Sequence, residues 1–187
     1  MPYYIVGSFM ECVKLCEGKP LKLLDIIMNE FESYQDKPIY EREKVDLYTK
    51  AHTLVSDIWF YFKEHEFSFD YDSNLMESTM FADYRISQVL LHFKVLSYSK
   101  ELLTRLEKND ELNYGSKEEI EIRSCSIFAI KLLAEEMQDV CHDLVKKIEK
   151  DVNYTIIIDN FLWDYRQIYD QLLMEKQPLP NIKCVYY

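Results

Sequence analysis

The sequence predicts a mainly α-helical protein, a single compact domain over residues 1–187 with at most a short terminal strand pairing. Three observations predict it. Apolar residues recur at three- and four-residue spacing along most of the chain. Helix-start and helix-stop residues fall at the ends of those stretches. No segment alternates apolar with polar for long enough to argue a central strand, and Tyr3 to Val6 and Lys183 to Tyr187 are the short strand candidates.

Each element has its own signal. Ser8 followed by Glu11 has capping-box spacing, and Gly18 with Pro20 marks a helix stop and a restart. Leu23, Leu24, Ile27, Met28 and Phe31 then repeat at helical spacing. A longer helix is predicted from Lys44 to about Phe62, carrying Val45, Tyr48, Leu54, Val55, Ile58 and Trp59. Lys63 to Ser78 is polar and aromatic without clear period and reads as a loop. Asp83 then precedes the apolar series Ile86, Val89, Leu90 and Phe93, and a short helix from Ser99 to Lys108 follows. Ser116 and Glu119 make a second capping box, opening a long helix with Ile120, Ile127, Ile130, Leu132 and Leu133. A last long helix is predicted from Tyr154 to Met174, with Pro178 and Pro180 ending it. No internal repeat, low-complexity tract or linker interrupts this order.

Composition excludes several function classes. With 48% hydrophobic and 29% charged residues, the 187-residue chain can build a core and is not a disordered segment. Gly7, Gly18 and Gly115 are its three glycines. Dinucleotide-binding and P-loop architectures need more, because the backbone must closely approach phosphate. The formal net charge is -11, whereas affinity for a phosphate backbone comes mostly from clustered Lys and Arg. Direct nucleic-acid binding is therefore not expected, and a nucleotide ligand would be small. No apolar run is long enough for a bilayer, and the N-terminus lacks the layout of a signal peptide. No membrane association and a cytoplasmic location are the expectation. Cys12, Cys16, Cys125, Cys141 and Cys184 are odd in number and irregular in spacing, which reads as reduced thiols. Cys12 and Cys16 stand one helical turn apart, but without a nearby His or second Cys pair packing explains them better than a metal. No metal and no cofactor are expected. His52, His65, His92 and His142 are scattered and form no metal-ligand pair at helical spacing.

Two segments set carboxylates among large apolar and aromatic side chains. One is Met80-Phe81-Ala82-Asp83-Tyr84-Arg85; the other is Ile158-Asp159-Asn160-Phe161-Leu162-Trp163-Asp164-Tyr165-Arg166. An acid in apolar surroundings is costly unless it is paired or used, so two such acids with aromatic walls suggest a pocket for a flat, polar ligand. Asp83 stands where an N-cap belongs, which is by itself a structural role. The roles are compatible, because a helix N-terminus favours negative charge and so suits a nucleophile or an electrostatic stabiliser. Asp159 and Trp163, four apart, share a helix face, and Asp164 projects about 140° from Asp159. The bland reading of that helix is a row of solvated acids beside an apolar stripe. Lys50 and Arg85 read by default as a surface charge and as a partner for a nearby acid.

The ordered text of the chain resembles the queuosine salvage protein family, specifically its C-terminal portion. The resemblance rests on Tyr4-Ile5-Val6-Gly7-Ser8-Phe9, Lys50-Ala51-His52-Thr53-Leu54-Val55-Ser56-Asp57-Ile58-Trp59 and Met80-Phe81-Ala82-Asp83-Tyr84-Arg85. It continues through Leu96-Ser97-Tyr98-Ser99, Gly115-Ser116-Lys117-Glu118-Glu119-Ile120-Glu121-Ile122-Arg123, Phe161-Leu162-Trp163-Asp164 and Val185-Tyr186-Tyr187. Any one of these is weak; seven in order across the chain are specific. What the resemblance implies is a helical, glycosylase-like fold and hydrolysis of queuosine 5′-monophosphate to queuine and ribose 5-phosphate. The implied partner is that small nucleotide and not tRNA. By motif match Asp83 would be the catalytic carboxylate and Phe81 part of the base pocket. Asp159, Trp163 and Asp164 would add ligand contacts, and Lys50 would match a pocket lysine. Either Lys50 or Arg85 would meet the phosphate.

The implied chemistry suits those residue types. Breaking an N-glycosidic bond develops positive charge on the ribose, which a fixed carboxylate stabilises or attacks. A 7-deazapurine offers no N7 to protonate, so the pocket must hold the departing base by its other edges. Carboxylates accept from ring and amine N–H groups, and aromatic rings stack. The family's N-terminal half has no counterpart in this chain, and Pro180-Asn181 stands where a His-Arg pair is common. A partner chain covering the face left by that half is therefore expected, and a noncatalytic helical module that binds without turnover is the alternative. A DNA or RNA glycosylase is a third reading, against which the charge of -11 argues.

Overall fold

The structure, a computed structural model, describes residues 8–62, 83–145 and 154–186. The strand candidate Tyr3 to Val6 and the loop expected from Lys63 to Ser78 lie outside the described residues. Within them are eight α-helices and two sheets of two strands each, the mainly α fold that the apolar spacing predicts. The chain divides into two compact units, one of Met1–Lys37, Asp46–Met80 and Val185–Tyr187, the other of Pro38–Val45 and Phe81–Cys184.

The first unit holds α1 (Phe9–Leu15), α2 (Pro20–Glu30), a 3-10 turn (Glu32–Tyr34) and α3 (Thr49–Phe62). Ser8 is the N-cap of α1, yet its side chain makes no capping bond. Its carbonyl instead accepts the Glu11 N–H at 3.0 Å, so the expected capping box does not close. Gly18 takes a left-handed φ of 74°, and Pro20 opens α2 where its fixed φ suits a first turn. Leu23, Leu24, Ile26 and Ile27 of α2 are buried, as are Cys12 and Cys16. The Cys16 thiol donates to the Val13 carbonyl at 2.8 Å, so packing accounts for both cysteines. The third helix begins at Thr49 and not at Lys44, because Tyr48 sits at φ 46° and cannot continue a right-handed helix. Ala51 and Val55 bury the face that α3 turns to α2.

The second unit opens with a hairpin, β1 (Ile39–Tyr40) and β2 (Glu43–Lys44), in antiparallel register Ile39↔Lys44 and Tyr40↔Glu43. Its two-residue loop has Glu41 at φ 48° and Arg42 at φ 76°. That is the twist two-residue hairpins favour, made here without the Asn-Gly or Asp-Gly that usually announces it. There follow α4 (Tyr84–His92), α5 (Lys100–Glu107), β3 (Glu111–Leu112), α6 (Lys117–Val145), α7 (Tyr154–Ile168), α8 (Asp170–Lys176) and β4 (Asn181–Ile182). The last strand pairs in parallel with β3, so among the described residues the pairing near the C-terminus lies at Asn181–Ile182, just before the Lys183 to Tyr187 candidate. The helix expected from Tyr154 to Met174 is two helices, interrupted at Tyr169 (φ −107°, ψ 27°) with no Pro or Gly to mark the break. Helix α4 packs against α6, α7 and α8, burying Ile86, Val89 and Leu90. Each such side chain is worth roughly 1.5–3 kcal/mol relative to exposure.

The second capping box holds in altered form. Ser116 Oγ accepts the Glu119 N–H at 3.4 Å, while Glu119 Oε2 reaches one residue further back, to the Gly115 N–H at 3.1 Å. The other oxygen of Glu119 takes Arg123 Nη1 at 3.1 Å, an ion pair with both side chains fully buried. The Gly115–Arg123 motif is thus a buried polar clamp that starts α6.

Candidate active site

Asp83 has extended backbone angles and caps α4, as its position before the Ile86, Val89, Leu90 series predicts. Its Oδ1 accepts the Arg85 N–H at 2.6 Å, and its Oδ2 faces Arg85 Nη1 at 3.3 Å. The Asp83 side chain keeps 21% of its surface. The Arg85 guanidinium in turn lies 4.9 Å from the centre of the Tyr84 ring. The result is a carboxylate held in one orientation at a helix N-terminus, with an aromatic face and a cation within two residues of it. Phe81 lies outside the described residues.

Behind this helix start stands a polar residue that periodicity alone passes over. Gln88 is completely buried, and its amide donates to the carbonyls of Gln177 at 3.0 Å and Leu173 at 3.4 Å, tying α4 to the end of α8. The signal for it is a glutamine flanked by the apolar series of α4, since a buried amide must find partners. Gln88 Nε2 and Arg166 Nη2 both approach the Met174 sulfur, at 3.8 and 3.9 Å. Arg166 itself pairs with Asp170 across the α7–α8 break. A cavity of about 560 Å³ opens beside Tyr84, walled also by Leu106, Asn109, Met174, Gln177 and Asn181. Asp83 is not on that wall.

The acids of α7 part company. Ile158, Leu162 and Arg166 form the buried face, Asp159 is half-buried, and Trp163 and Asp164 are exposed. Asp159 is thus partly withdrawn from solvent, whereas Asp164 is a solvated surface acid. On the same side of α7, three residues beyond Leu162, Tyr165 lies 4.8 Å from Phe93 with the rings tilted at 53° and brings its hydroxyl 3.1 Å from His92 Nε2, with Phe161 and Tyr169 flanking it. His92 ends α4, so this aromatic cluster and Asp83 are nine residues, about 13 Å of helix rise, apart. Lys50 belongs to the other compact unit. Its Nζ donates to the Val185 carbonyl at 2.8 Å and stands 5.4 Å above the Tyr34 ring. A lysine has three donors, and this bond uses one.

These features define a helical protein with an oriented carboxylate capping a helix beside aromatic and cationic groups. Comparison with known proteins names the class: a family model described as queuosine salvage protein matches residues 4–187. The chain belongs to the queuosine salvage protein family. It is 34% identical over 182 residues to a Bos taurus protein named queuosine 5′-phosphate N-glycosylase/hydrolase, covering 97% of this chain and 52% of the relative. Proteins of the same name from Mus musculus and Sphaerobacter thermophilus are each 35% identical, over 185 and 182 residues, again covering 97% of this chain and 52% of the relative. The chain thus spans about half the length of the curated relatives it matches.

Proposed function

We propose that this chain carries the catalytic carboxylate of a queuosine 5′-phosphate N-glycosylase, a cytoplasmic hydrolase that releases queuine for reuse in tRNA modification. Asp83 is that carboxylate. The carrying observation is its geometry, with both oxygens oriented by Arg85, through the backbone N–H at 2.6 Å and the guanidinium at 3.3 Å. A charge fixed in advance opposite a developing cation stabilises the transition state without reorganising when the bond breaks.

The step balances simply. The bond between the ribose anomeric carbon and the base nitrogen breaks, its electron pair leaves with the base, and water supplies hydroxide to the ribose and a proton to the base. Asp83 stabilises the positive ribose, Phe81 and Trp163 offer stacking faces, and Asp159 accepts from the base N–H groups, whereas Asp164, exposed on another side of the helix, rests on the motif match. Arg85 is the cation beside Asp83 suited to the 5′-phosphate, since a guanidinium binds phosphate bidentately; Lys50 rests on the motif match. The substrate is a free nucleotide and not a nucleic acid, and the partner is a further polypeptide corresponding to the half of the relatives that this chain does not match.

The test is incubation of the purified chain with queuosine 5′-monophosphate, following free queuine by mass spectrometry. Asp83→Asn, which keeps a good N-cap, is expected to lower release by about 100-fold or more. Release that survives Asp83→Asn would overturn the assignment of Asp83. Failure of a folded, monodisperse chain to release queuine would favour a module that binds without turnover.

A further inference from the structure

Helix α6 carries an apolar face that its own unit leaves open. Phe128 is 61% exposed and Leu132 48% exposed, one helical turn apart. Together with Cys125, Leu133 and, from the segment after α4, Val95 and Leu96, they line a groove of about 390 Å³. By the 100° helical step, Glu136 and Asp139 continue the same face, and both are exposed. The face is thus an apolar floor closed at one end by three exposed acids, since Glu135 lies there as well. Exposed apolar side chains that sit together beside a groove and are rimmed by charge suit the docking of another polypeptide.

We propose that this groove seats the polypeptide corresponding to the half of the curated relatives that has no match in these 187 residues. The relatives carry nearly as much chain again beyond the matched part, since it makes up 52% of their length. A second polypeptide of that size needs an apolar seat on its neighbour, and α6 offers one. A second copy of this chain is the poorer occupant, because two chains of net charge -11 repel each other. The groove calls for an apolar helix or loop with Lys or Arg placed to meet Glu136 and Asp139. The proposal shares with the functional reading the existence of a further polypeptide, and needs none of its chemistry.

The experiment is co-expression of the full 187-residue chain with the unmatched half of the Bos taurus relative, followed by size-exclusion chromatography with light scattering. A one-to-one complex is expected. Phe128→Asp with Leu132→Asp should weaken it roughly 100-fold or more, as expected when anchors of an interface are lost. Both positions are exposed, so circular dichroism should show the variant still folded. A readout without substitution is alkylation of Cys125 by iodoacetamide, which should slow at least about tenfold in the complex, because an exposed thiol becomes covered. No complex, a complex indifferent to both substitutions, unchanged Cys125 reactivity, or a homodimer that the substitutions dissolve would each overturn the proposal. Queuine release measured on the same samples reports separately on the catalytic reading.

Discussion

Asp83 does two things that a mutation series can separate. As N-cap it satisfies an otherwise unpaired donor of α4, so Asp83→Ala should cost about 1 kcal/mol of stability, while Asp83→Asn should cost little. As the proposed catalytic carboxylate it should lose activity in both variants alike. Urea denaturation beside the queuine assay checks this, and equal loss of stability in both variants would show that capping chemistry is not what Asp83 contributes. His52 offers a second residue-level outcome. It is buried in α3, and burial pushes its imidazole from 6.5 down to about 4. The folded state then binds fewer protons than the unfolded chain between those values. Its contribution to stability is fully present above pH 6.5 and is lost as the pH falls towards 4, a change of about 3 kcal/mol. Comparing urea midpoints of wild type and His52→Gln at pH 7, 5 and 4 should show the difference between them shrinking on acidification; a constant difference would refute it.

At the scale of elements, the start of α6 is the most consequential device. Glu119 and Arg123 are fully buried and hold one another, and Glu119 also holds the Gly115 N–H. Removing one partner strands a buried charge, so Arg123→Ala should cost about 3–5 kcal/mol. Arg123→Met combined with Glu119→Gln removes both charges and should cost clearly less, as a double-mutant cycle in urea would show; additive costs would argue against coupling. Legibility differs from helix to helix. The starts of α2, α4 and α5 are readable because Pro20, Asp83 and Ser99 carry the start in their own chemistry. The Ser99 hydroxyl, for instance, accepts the Leu102 N–H at 3.2 Å. The hairpin at Ile39–Lys44 and the late start of α3 were hidden, since Glu41, Arg42 and Tyr48 take left-handed angles that their residue types do not advertise. Tyr40 shows what holds the hairpin: its hydroxyl donates to Glu121 Oε1 at 2.7 Å, a contact 81 residues distant in sequence.

For the whole molecule, charge sets the expectation. With a net charge of -11, the chain should show no binding to a duplex of about 20 base pairs at roughly 50 mM salt, by fluorescence anisotropy. Binding there would revive a nucleic-acid glycosylase. No helix among the described residues is long and apolar enough to cross a membrane. Family and helical class were legible in the sequence, because the first rests on ordered motifs and the second on apolar residues repeating at three and four. The same spacing identified Ile86, Val89 and Leu90 as core, and the residue before them as a cap. Tertiary structure alone decided which polar groups are buried and what they hold. Gln88 reaching Gln177, Arg123 closing on Glu119, and Asp159 and Asp164 parting in exposure depend on neighbours far along the chain. Periodicity reports the direction in which a side chain leaves its own helix, whereas burial and pairing are set by what another element brings to meet it.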